Sequence, residues 1–505
     1  MMKFKLFHRV FLILLFSQPT ALSAKSATPT SPVKTELPPN IVFLMTDDQR
    51  WDTIGSYGSK DAITPNVDKL AAQGVSFDNA YHAVAICMPS RTTMFTGRYF
   101  SDHRVGFTYP YKRTLPAQEF AQSYPALMQD AGYRTGFIGK FGVRLETLPE
   151  TVAEHFDFYA GISTTSKKGP HFPKSDKKLA HIYRKDRNPK ERTLIKGDAM
   201  IRFLETQPKG RPFSLSVSFD AVKNDRDTDM YGPHVELFKD KKMQIPDNWV
   251  EGKNERLPKV LDYSRSTYLH MKRTSTPELY QTLARRFAVQ SYSVDDQVRR
   301  LLAKLEEMDV LDNTIIIYTS DNGRYHGSRG LYDKAIQYDE AIKQPLIIFD
   351  GRATKENQGH RIDAMVSSAD IAPTILSLAG LDIPAVMKGY DLVPLMNGNQ
   401  DMTKWRDGVL TENFFIQELV RTRGKNVEAM NDDVVKNNRS YRSRGIRTKQ
   451  YQYFEYFEHT PVVEELYELA NDPDEQNNLV SDPNYKSTLA EMRKKAAKLY
   501  AEVLQ

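Results

Sequence analysis

Residues 40–48, N-I-V-F-L-M-T-D-D, decide the fold of this chain. The five consecutive apolar residues at 41–45 fit a strand that is buried on both faces, which is typical of a parallel sheet. Apolar positions with helical spacing follow over 283–308. Further short apolar runs lie at 134–138, 213–219, 314–319 and 346–349. This alternation predicts an α/β fold, in which helices cover both faces of a large, mostly parallel sheet.

The pattern changes after about residue 400. Aromatic residues alternate over 445–458, a strand pattern follows at 464–469, and an amphipathic helix is predicted at 485–503. We therefore expect a large α/β domain at 38–400 and a smaller C-terminal α+β subdomain at 401–505, which carries an antiparallel sheet and a closing helix.

The start of the chain is typical of an export signal. Three lysines and arginines among the first nine residues precede an apolar run at 10–16 and small residues at 21–24. They predict a secretory signal peptide at 1–24, followed by a linker at 25–37. We expect a periplasmic or secreted protein without a stable membrane anchor, because the apolar run is too short to span a bilayer. A retained N-terminal anchor is the alternative.

The overall composition is that of a globular protein. Of the 505 residues, 40% are hydrophobic and 27% are charged, which excludes collagen, a multi-span membrane protein and a mostly disordered chain. The single cysteine, Cys87, excludes a disulfide framework, although exported proteins usually pair their cysteines.

The charge is concentrated in one segment. Residues 166–197 hold 11 lysines and arginines against three acids, so their net charge exceeds the +6 of the whole chain. The segment is either a solvated loop or a patch that attracts a polyanion. Because the export signal argues against nucleic acid, a sulfated or acidic polysaccharide fits better.

Polar side chains follow four of the predicted strands, and ligands bind at the carboxyl ends of such strands. These residues are Asp47, Asp48, Lys140, Asp220, Lys223, Asp321 and Asn322, with Lys334 further along. Carboxylate and amide oxygens are ligands for Ca²⁺ or Mg²⁺. The lack of a second cysteine and of a His-x-His pattern argues against zinc.

Cys87 opens the sequence C-M-P-S-R, which continues to T-G-R at 96–98. Pro89 indicates that a helix begins here, and the free N–H groups and dipole of a helix start favour an anion beside residue 87. Arg91, one turn further, adds a fixed positive charge.

These motifs resemble those of the formylglycine-dependent (type I) sulfatases of the alkaline-phosphatase superfamily. The C-x-P-S-R and T-G-R sequences are similar to the signature at which a separate maturation enzyme oxidises the cysteine to formylglycine. Further similar stretches are P-N-I-V at 39–42, G-Y-R-T at 132–135, S-D-N-G at 320–323, G-L-Y-D-K at 330–334 and L-Y-E-L at 466–469. The resemblance covers about residues 38–380 and extends into the C-terminal part.

The resemblance implies the alkaline-phosphatase-like fold and the hydrolysis of sulfate esters. Modified Cys87 would be a hydrated aldehyde, of which one hydroxyl attacks sulfur and the other helps to expel sulfate. Arg91 would steady this group, and Lys140 and Lys334 would bind the sulfate. The family also implies a cation, Ca²⁺ rather than Mg²⁺, held by Asp47, Asp48, Cys87, Asp321 and Asn322.

Three positions depart from the family pattern. Gly142 and Arg329 stand where histidines are usual, and Lys223 replaces the histidine that is thought to protonate the leaving oxygen. Several interpretations stay open: Lys223 is the acid, provided that burial or neighbouring cations lower its pKa; His234 folds back into the site; the enzyme is weakened or inactive; or another residue donates the proton. Thr165 stands where some relatives carry a serine that contacts substrate. Arg329, Thr165 and His234 are therefore further candidates for substrate binding.

The sequence as a whole predicts an exported sulfatase that acts on a sulfated carbohydrate or polysaccharide. Two alternatives remain. One is a catalytically weakened binder of sulfated glycans, and the other is a phosphatase or phosphonate hydrolase on the same fold.

Overall fold

Eight strands form the large sheet that the apolar runs predict. The computed structural model describes residues 37–146, 153–162, 176–183, 188–223, 229–262, 264–354, 358–416 and 427–505. The strands of the sheet are β1 Asn40–Thr46, β2 Val75–Tyr81, β3 Arg134–Lys140, β4 Phe158–Ile162, β5 Phe213–Ser218, β6 Thr314–Ser320, β7 Leu346–Asp350 and β8 His360–Ser367. The predicted signal peptide at 1–24, almost all of the linker, and Thr165 lie outside the described residues.

The strand order is β4-β3-β5-β1-β6-β7-β2-β8, so β1 lies in the interior of the sheet. It pairs in parallel with β5 and β6, and every residue of β1 is buried. The mostly parallel sheet is confirmed, with β7 as the exception, because β7 pairs antiparallel with both β6 and β2. The connection at 321–345 stays at the edge where β6 ends, and β7 therefore starts from that edge.

Helices cover the sheet, and the alternation of side chains along β1 divides them into two cores. Ile41, Phe43 and Met45 belong to one hydrophobic cluster, whereas Val42 and Leu44 belong to another. The helices are α1 Pro65–Gln73, α2 Cys87–Thr96, α3 Phe100–His103, α4 Ala117–Phe120, α5 Tyr124–Asp130, α6 Lys177–Ile182, α7 Arg192–Glu205, α8 Gly232–Glu236, α9 Arg265–Arg273, α10 Pro277–Glu307, α11 Asp339–Ile342, α12 Ile371–Leu378, α13 Val393–Met396, α14 Val427–Lys436 and α15 Lys486–Val503.

The C-terminal part carries the predicted antiparallel sheet. Its strands are β9 Gly408–Asn413, β10 Ser443–Thr448, β11 Tyr451–Tyr456 and β12 Val463–Glu468, in the order β12-β11-β10-β9. Helix α15 closes one face, because Leu489 and Met492 pack with Ile446, Tyr453 and Leu466. The fold class is thus confirmed. Both sheets belong to the compact unit Pro38–Gln505, so a domain boundary at residue 400 stays a prediction.

The structure corrects one element. The long helix predicted over 283–308 begins earlier, at Pro277, because Thr276 caps it by accepting a hydrogen bond from the Leu279 N–H. Within the described ranges, no helix has both the length and the apolar character that crossing a bilayer requires.

Candidate active site

The side chains that follow β1, β3, β5 and β6 meet at the carboxyl edge of the sheet, as the sequence predicts. Asp47, Asp48 and Asp321 each bring a carboxylate oxygen there, and Cys87 brings its sulfur. These four potential ligand atoms all lie within 4.8 Å of one another, and all four residues are buried. Parallel strands place their carboxyl ends together, which explains how residues more than 270 positions apart converge.

Cys87 is the first residue of α2 and is only 6% exposed. Its sulfur lies 2.8 Å from Lys334 Nζ, 3.2 Å from Lys223 Nζ and 3.6 Å from Asp47 Oδ1. The helix start adds partial positive charge from its free N–H groups. Residue 87 is therefore in contact with two ammonium groups as well as with the Asp47 carboxylate.

Arg91 lies one turn along α2 and is fully buried. Its Nε donates to Asp321 Oδ2 at 2.8 Å, and one Nη donates to Asp47 Oδ2 at 3.3 Å. The other Nη donates to Ser218 Oγ at 2.5 Å and to the Lys140 carbonyl oxygen. The guanidinium thus joins α2 to the ends of β1, β3, β5 and β6, and it fixes two carboxylates of the cluster.

The donor set fits a hard divalent cation. Three carboxylates converge, and Asn322 lies beside them, since its Nδ2 donates to Asp48 Oδ1 at 2.7 Å. Asp48 holds a backbone φ of +65°, and its N–H donates to Asp321 Oδ1 at 3.1 Å. Oxygen ligands of this kind suit Ca²⁺ or Mg²⁺ rather than zinc.

Three lysines surround the carboxylates. Lys140 donates to Asp47 Oδ2, Lys334 donates to Asp48 Oδ1, and Lys223 lies 3.1 Å from Asp47 Oδ1. Burial raises the pKa of the Asp47 carboxyl, but the lysines and Arg91 lower it by more, so the pKa lies well below its ordinary value. The pKa of Asp48 is likewise about 2, because nearby cations outweigh its burial.

The three lysines differ in the solvent exposure of their side chains. The side chain of Lys223 is 38% exposed, whereas those of Lys140 and Lys334 are 17% and 11% exposed. Burial lowers the pKa of the Lys223 ammonium, but Asp47 and Cys87 raise it by more, so the pKa is well above its ordinary value. Lys223 is therefore a cation that contacts residue 87 and is also partly exposed to solvent.

Gly142 is tightly constrained by Arg91. Its backbone φ is +72°, a conformation that favours glycine, and a Cβ atom built at this position would lie 2.4 Å from Arg91 Cδ. A histidine at residue 142 would therefore have to displace the guanidinium. In this chain the glycine is part of the packing that keeps Arg91 in place.

The sequence reasoning missed Arg324, which directly follows S-D-N-G. Its Nη1 donates to Asp48 Oδ2 at 2.7 Å and to the Lys223 carbonyl oxygen at 3.1 Å, and the residue is only 5% exposed. Ser218, the partner of Arg91, was missed as well. Arg324 stands beside a matched motif, but the sequence does not show its burial or its pairing with Asp48.

Several predicted residues do not join the cluster. Arg329 donates instead to Glu340 Oε2 at 2.8 Å and to Glu475 Oε2 at 2.9 Å, both of which are buried. His234 Nδ1 lies 2.8 Å from Ser293 Oγ, and the ring packs between Tyr231 and Tyr292. No contact of Arg329 or His234 with residue 87 is found among the described residues, and Thr165 lies outside them.

The basic segment at 166–197 is described only in part. Within that part, Lys178 pairs with Glu205 and Lys196 pairs with Asp220, each at 2.5 Å. These two cations are thus used within the protein, and a role of the segment in polyanion binding stays a prediction.

Comparison with known proteins identifies the class. The model of the sulfatase family matches residues 39–381, and that of the C-terminal region of N-sulphoglucosamine sulphohydrolase matches 432–502. The chain is 28% identical to an N-acetylglucosamine-6-O-sulfatase of Bacteroides thetaiotaomicron over 506 aligned residues, which cover 88% of this chain and 83% of the relative. It is 26% identical to an ulvan-active sulfatase of Formosa agariphila, over 96% of this chain and 85% of the relative.

A solved structure supports the same class. It is that of a protein in complex with its substrate D-glucosamine-2-N,6-O-disulfate, with 25% identity and a TM-score of 0.73 over 92% of this chain and 98% of that one. The chain described above belongs to the sulfatase family. It is accordingly a sulfuric ester hydrolase, as the sequence motifs predict.

Proposed function

We propose that the protein is an exported sulfatase that removes sulfate from a sulfated carbohydrate through a formylglycine made from Cys87. The observation that carries this proposal is the placement of Cys87. It begins a helix, contacts Lys223 and Lys334, and lies beside three carboxylates. The relatives named above act on sulfated sugars and polysaccharides, which supports a carbohydrate substrate.

Asp47, Asp48, Asp321, Asn322 and residue 87 would hold the cation, which we propose to be Ca²⁺. When bound, the ion supplies positive charge that favours an anionic nucleophile and neutralises sulfate oxygens. The set holds three carboxylates, one amide and the side chain of residue 87, and it contains no histidine. Such ligands suit the larger, more flexible coordination of Ca²⁺.

The side chains of the protein would supply the nucleophile, bind the sulfate and position the carboxylates. The Cys87 sulfur stands where an oxygen of the modified residue would lie, and formylglycine supplies a hydrated aldehyde as the nucleophile. Lys334 contacts this position and Lys140 pairs with the neighbouring Asp47, and both would bind sulfate oxygens as negative charge builds up. Arg91 keeps Asp47 and Asp321 in position and cannot itself swing toward the substrate, because it is fully buried.

We further propose that Lys223 protonates the leaving oxygen; this role requires its pKa, which the nearby acids raise, to fall when a bound cation neutralises those acids. Its Nζ lies 3.2 Å from the Cys87 sulfur, and it is the most exposed of the three lysines, so it reaches both the nucleophile and the side from which a leaving group departs. His234 would need to leave its contact with Ser293 to serve the same role.

Substitution of Lys223 tests this role. Lys223→Ala is expected to lower kcat by about 10²- to 10⁴-fold for a sugar sulfate but by less than about tenfold for an aryl sulfate, whose leaving group needs little protonation. Lys223→Arg keeps the charge but holds its proton too tightly to donate it, and should not restore activity on the sugar sulfate. Equal losses on both substrates, or full rescue by arginine, would show that Lys223 supplies only charge.

The function itself is tested with a panel of esters and the mature protein. We expect release of sulfate from D-glucosamine-6-sulfate or from ulvan oligosaccharides, and little or no hydrolysis of an aryl phosphate or a phosphonate monoester. Preferential hydrolysis of the phosphorus esters would contradict the proposal. Tight binding of the sulfated sugars without any release of sulfate would favour the non-catalytic binder instead.

Export and maturation complete the proposal. The basic and apolar start of the chain supports transport to the periplasm or the exterior, and a separate formylglycine-generating enzyme would convert Cys87. We also retain the domain division at residue 400 as a proposal, since the four-stranded sheet begins at Gly408.

A further inference from the structure

An exposed aromatic loop follows Gly106, which contacts the segment after the catalytic strand β3. The aromatic loop, residues 107–111 (F-T-Y-P-Y), presents Phe107 at 36% exposure and Tyr109 at 50%. Among the described residues, Phe107 is the only phenylalanine with such exposure. Single exposed apolar residues are ordinary, but two aromatic rings in one short loop indicate a contact surface.

A second segment extends this surface. The Phe107 and Phe415 rings lie 5.8 Å apart edge to face, and Tyr111 stacks on Phe414 at 4.4 Å. Phe415 is partly buried and Phe107 is exposed. These two rings form an apolar surface next to the stacked rings of Tyr111 and Phe414. A flat apolar surface of this kind can pack against the C–H face of a sugar ring.

The loop is held in place although it is exposed. The buried Arg442 donates from Nη2 to the Tyr109 carbonyl oxygen at 2.5 Å and from Nε to the Phe414 carbonyl oxygen at 2.9 Å. Its guanidinium also lies over the Tyr111 ring, 5.4 Å from the centroid, and pairs with Glu458 at 3.0 Å. A ligand would therefore meet a preorganised surface, which lowers the entropy cost of binding.

Contacts connect the start of the loop and its packing partner Phe414 with segments that carry catalytic residues. Arg144 Nη1 donates to the Gly106 carbonyl oxygen at 3.1 Å. Arg144 follows Lys140 by four residues, so their Cα atoms are at most about 14 Å apart. On the other side, Phe414 packs in one cluster with Ile86 and Ala335, the chain neighbours of Cys87 and Lys334.

The surface also carries positive charge. Among the described residues no carboxylate pairs with Arg144, which donates a hydrogen bond to a neutral carbonyl oxygen. Arg104 is exposed and lies three residues before the aromatic loop. Among the described residues, its side chain donates only to the Ser101 carbonyl oxygen. Arg113, in contrast, is neutralised by Glu119. The aromatic loop is thus bordered by guanidinium groups that are available for an anion.

We propose that the aromatic loop and Arg144 form a saccharide subsite, which binds a second sugar unit next to the one that loses its sulfate. Phe107 packs against the face of that unit, and Arg144 binds its sulfate or carboxylate group. This inference rests on the proposed function, since it assigns the substrate as an anionic oligosaccharide rather than a single sulfated sugar.

Calorimetric binding to the Cys87→Ala protein tests the subsite without turnover. The probes are D-glucosamine-6-sulfate and tetrasaccharides prepared from heparin and from ulvan. We expect at least one tetrasaccharide to bind about tenfold more tightly than the monosaccharide. Adding Phe107→Ala or Arg144→Gln should lower tetrasaccharide affinity by about five- to tenfold and leave monosaccharide affinity unchanged, as truncation of a contact residue typically does.

Tyr390→Ala is the matched control, because Tyr390 is an aromatic residue with 44% exposure that packs with Trp405 and Arg406 rather than with the aromatic loop. This control should change neither affinity. The subsite is overturned if neither tetrasaccharide binds more tightly than the monosaccharide, or if Phe107→Ala has no more effect than Tyr390→Ala. Sulfate release by the unmutated enzyme is measured separately, so a failure of the proposed function is seen independently of the subsite.

Discussion

Replacing Cys87 by alanine is expected to lower sulfate-ester hydrolysis by at least about 10⁴-fold, because the nucleophile is derived from this side chain and no other described residue can replace it. The fold should persist, since the sulfur contributes little packing beside Lys223 and Lys334. Sulfate release and the thermal unfolding midpoint, measured on the same samples, check both parts of this expectation.

Met94→Leu provides the matched control for the Cys87 variant. Met94 lies on the same helix and is fully buried, but it belongs to the hydrophobic core rather than the charged cluster. A volume-conserving change there should leave activity within about twofold. If Cys87→Ala kept substantial activity, the formylglycine mechanism would be excluded.

Replacing Arg91 by methionine is expected to produce the largest combined loss of stability and activity. The guanidinium pairs with Asp47 and Asp321, and all three side chains are inaccessible to solvent. Removing one partner of a buried ion pair typically costs about 3–5 kcal/mol in the free energy of unfolding. Asp321 would lose its guanidinium partner, whereas Lys140 and Lys223 would still compensate Asp47. We expect kcat to fall by about 10³-fold as well, since both carboxylates lose their position.

Denaturant unfolding with and without Ca²⁺ separates the causes of this loss. Ca²⁺ should restore part of the stability of Arg91→Met, because a bound cation offsets the same carboxylates and binds only the folded state. Arg91→Lys should be intermediate, since it keeps a charge but cannot span Asp321, Asp47 and Ser218 together. Unchanged stability and activity in Arg91→Met would contradict the role given to this residue.

The sequence predicted the sheet and the convergence of the site for one physical reason. Buried parallel strands appear as apolar runs, and their carboxyl ends meet at one edge, so Asp47, Lys140, Lys223 and Asp321 could be brought together without coordinates. The antiparallel direction of β7 could not be predicted, because an apolar run has the same appearance in either direction.

The sequence patterns could not predict which side chains pair with one another. Arg324 and Arg329 both lie in the connection after β6, yet one reaches Asp48 and the other reaches Glu340 and Glu475. Nothing in their spacing distinguishes these outcomes, since they depend on where the C-terminal residues pack. The constraint on Gly142 was hidden for the same reason, because it comes from the path of the Arg91 side chain.

The ion pairs that Arg329 forms outside the catalytic cluster have a structural consequence. By joining Glu475 of the C-terminal part to the connection that carries Lys334, the Arg329 ion pairs link the second sheet region to the catalytic edge. Both acids are buried with the guanidinium, so these contacts are shielded from solvent and salt. The C-terminal part is thereby tied directly to the loop that places Lys334 beside Cys87.

Mass spectrometry of the peptide that contains Cys87 tests the central claim most directly. The protein should be produced in a host that has the maturation enzyme, alongside a control sulfatase that is known to be converted there. The account predicts a peptide about 18 Da lighter than the cysteine form, which corresponds to the aldehyde that serves as nucleophile. An unmodified thiol at Cys87, under conditions that convert the control, would contradict it and would favour a protein that binds sulfated glycans without cleaving them.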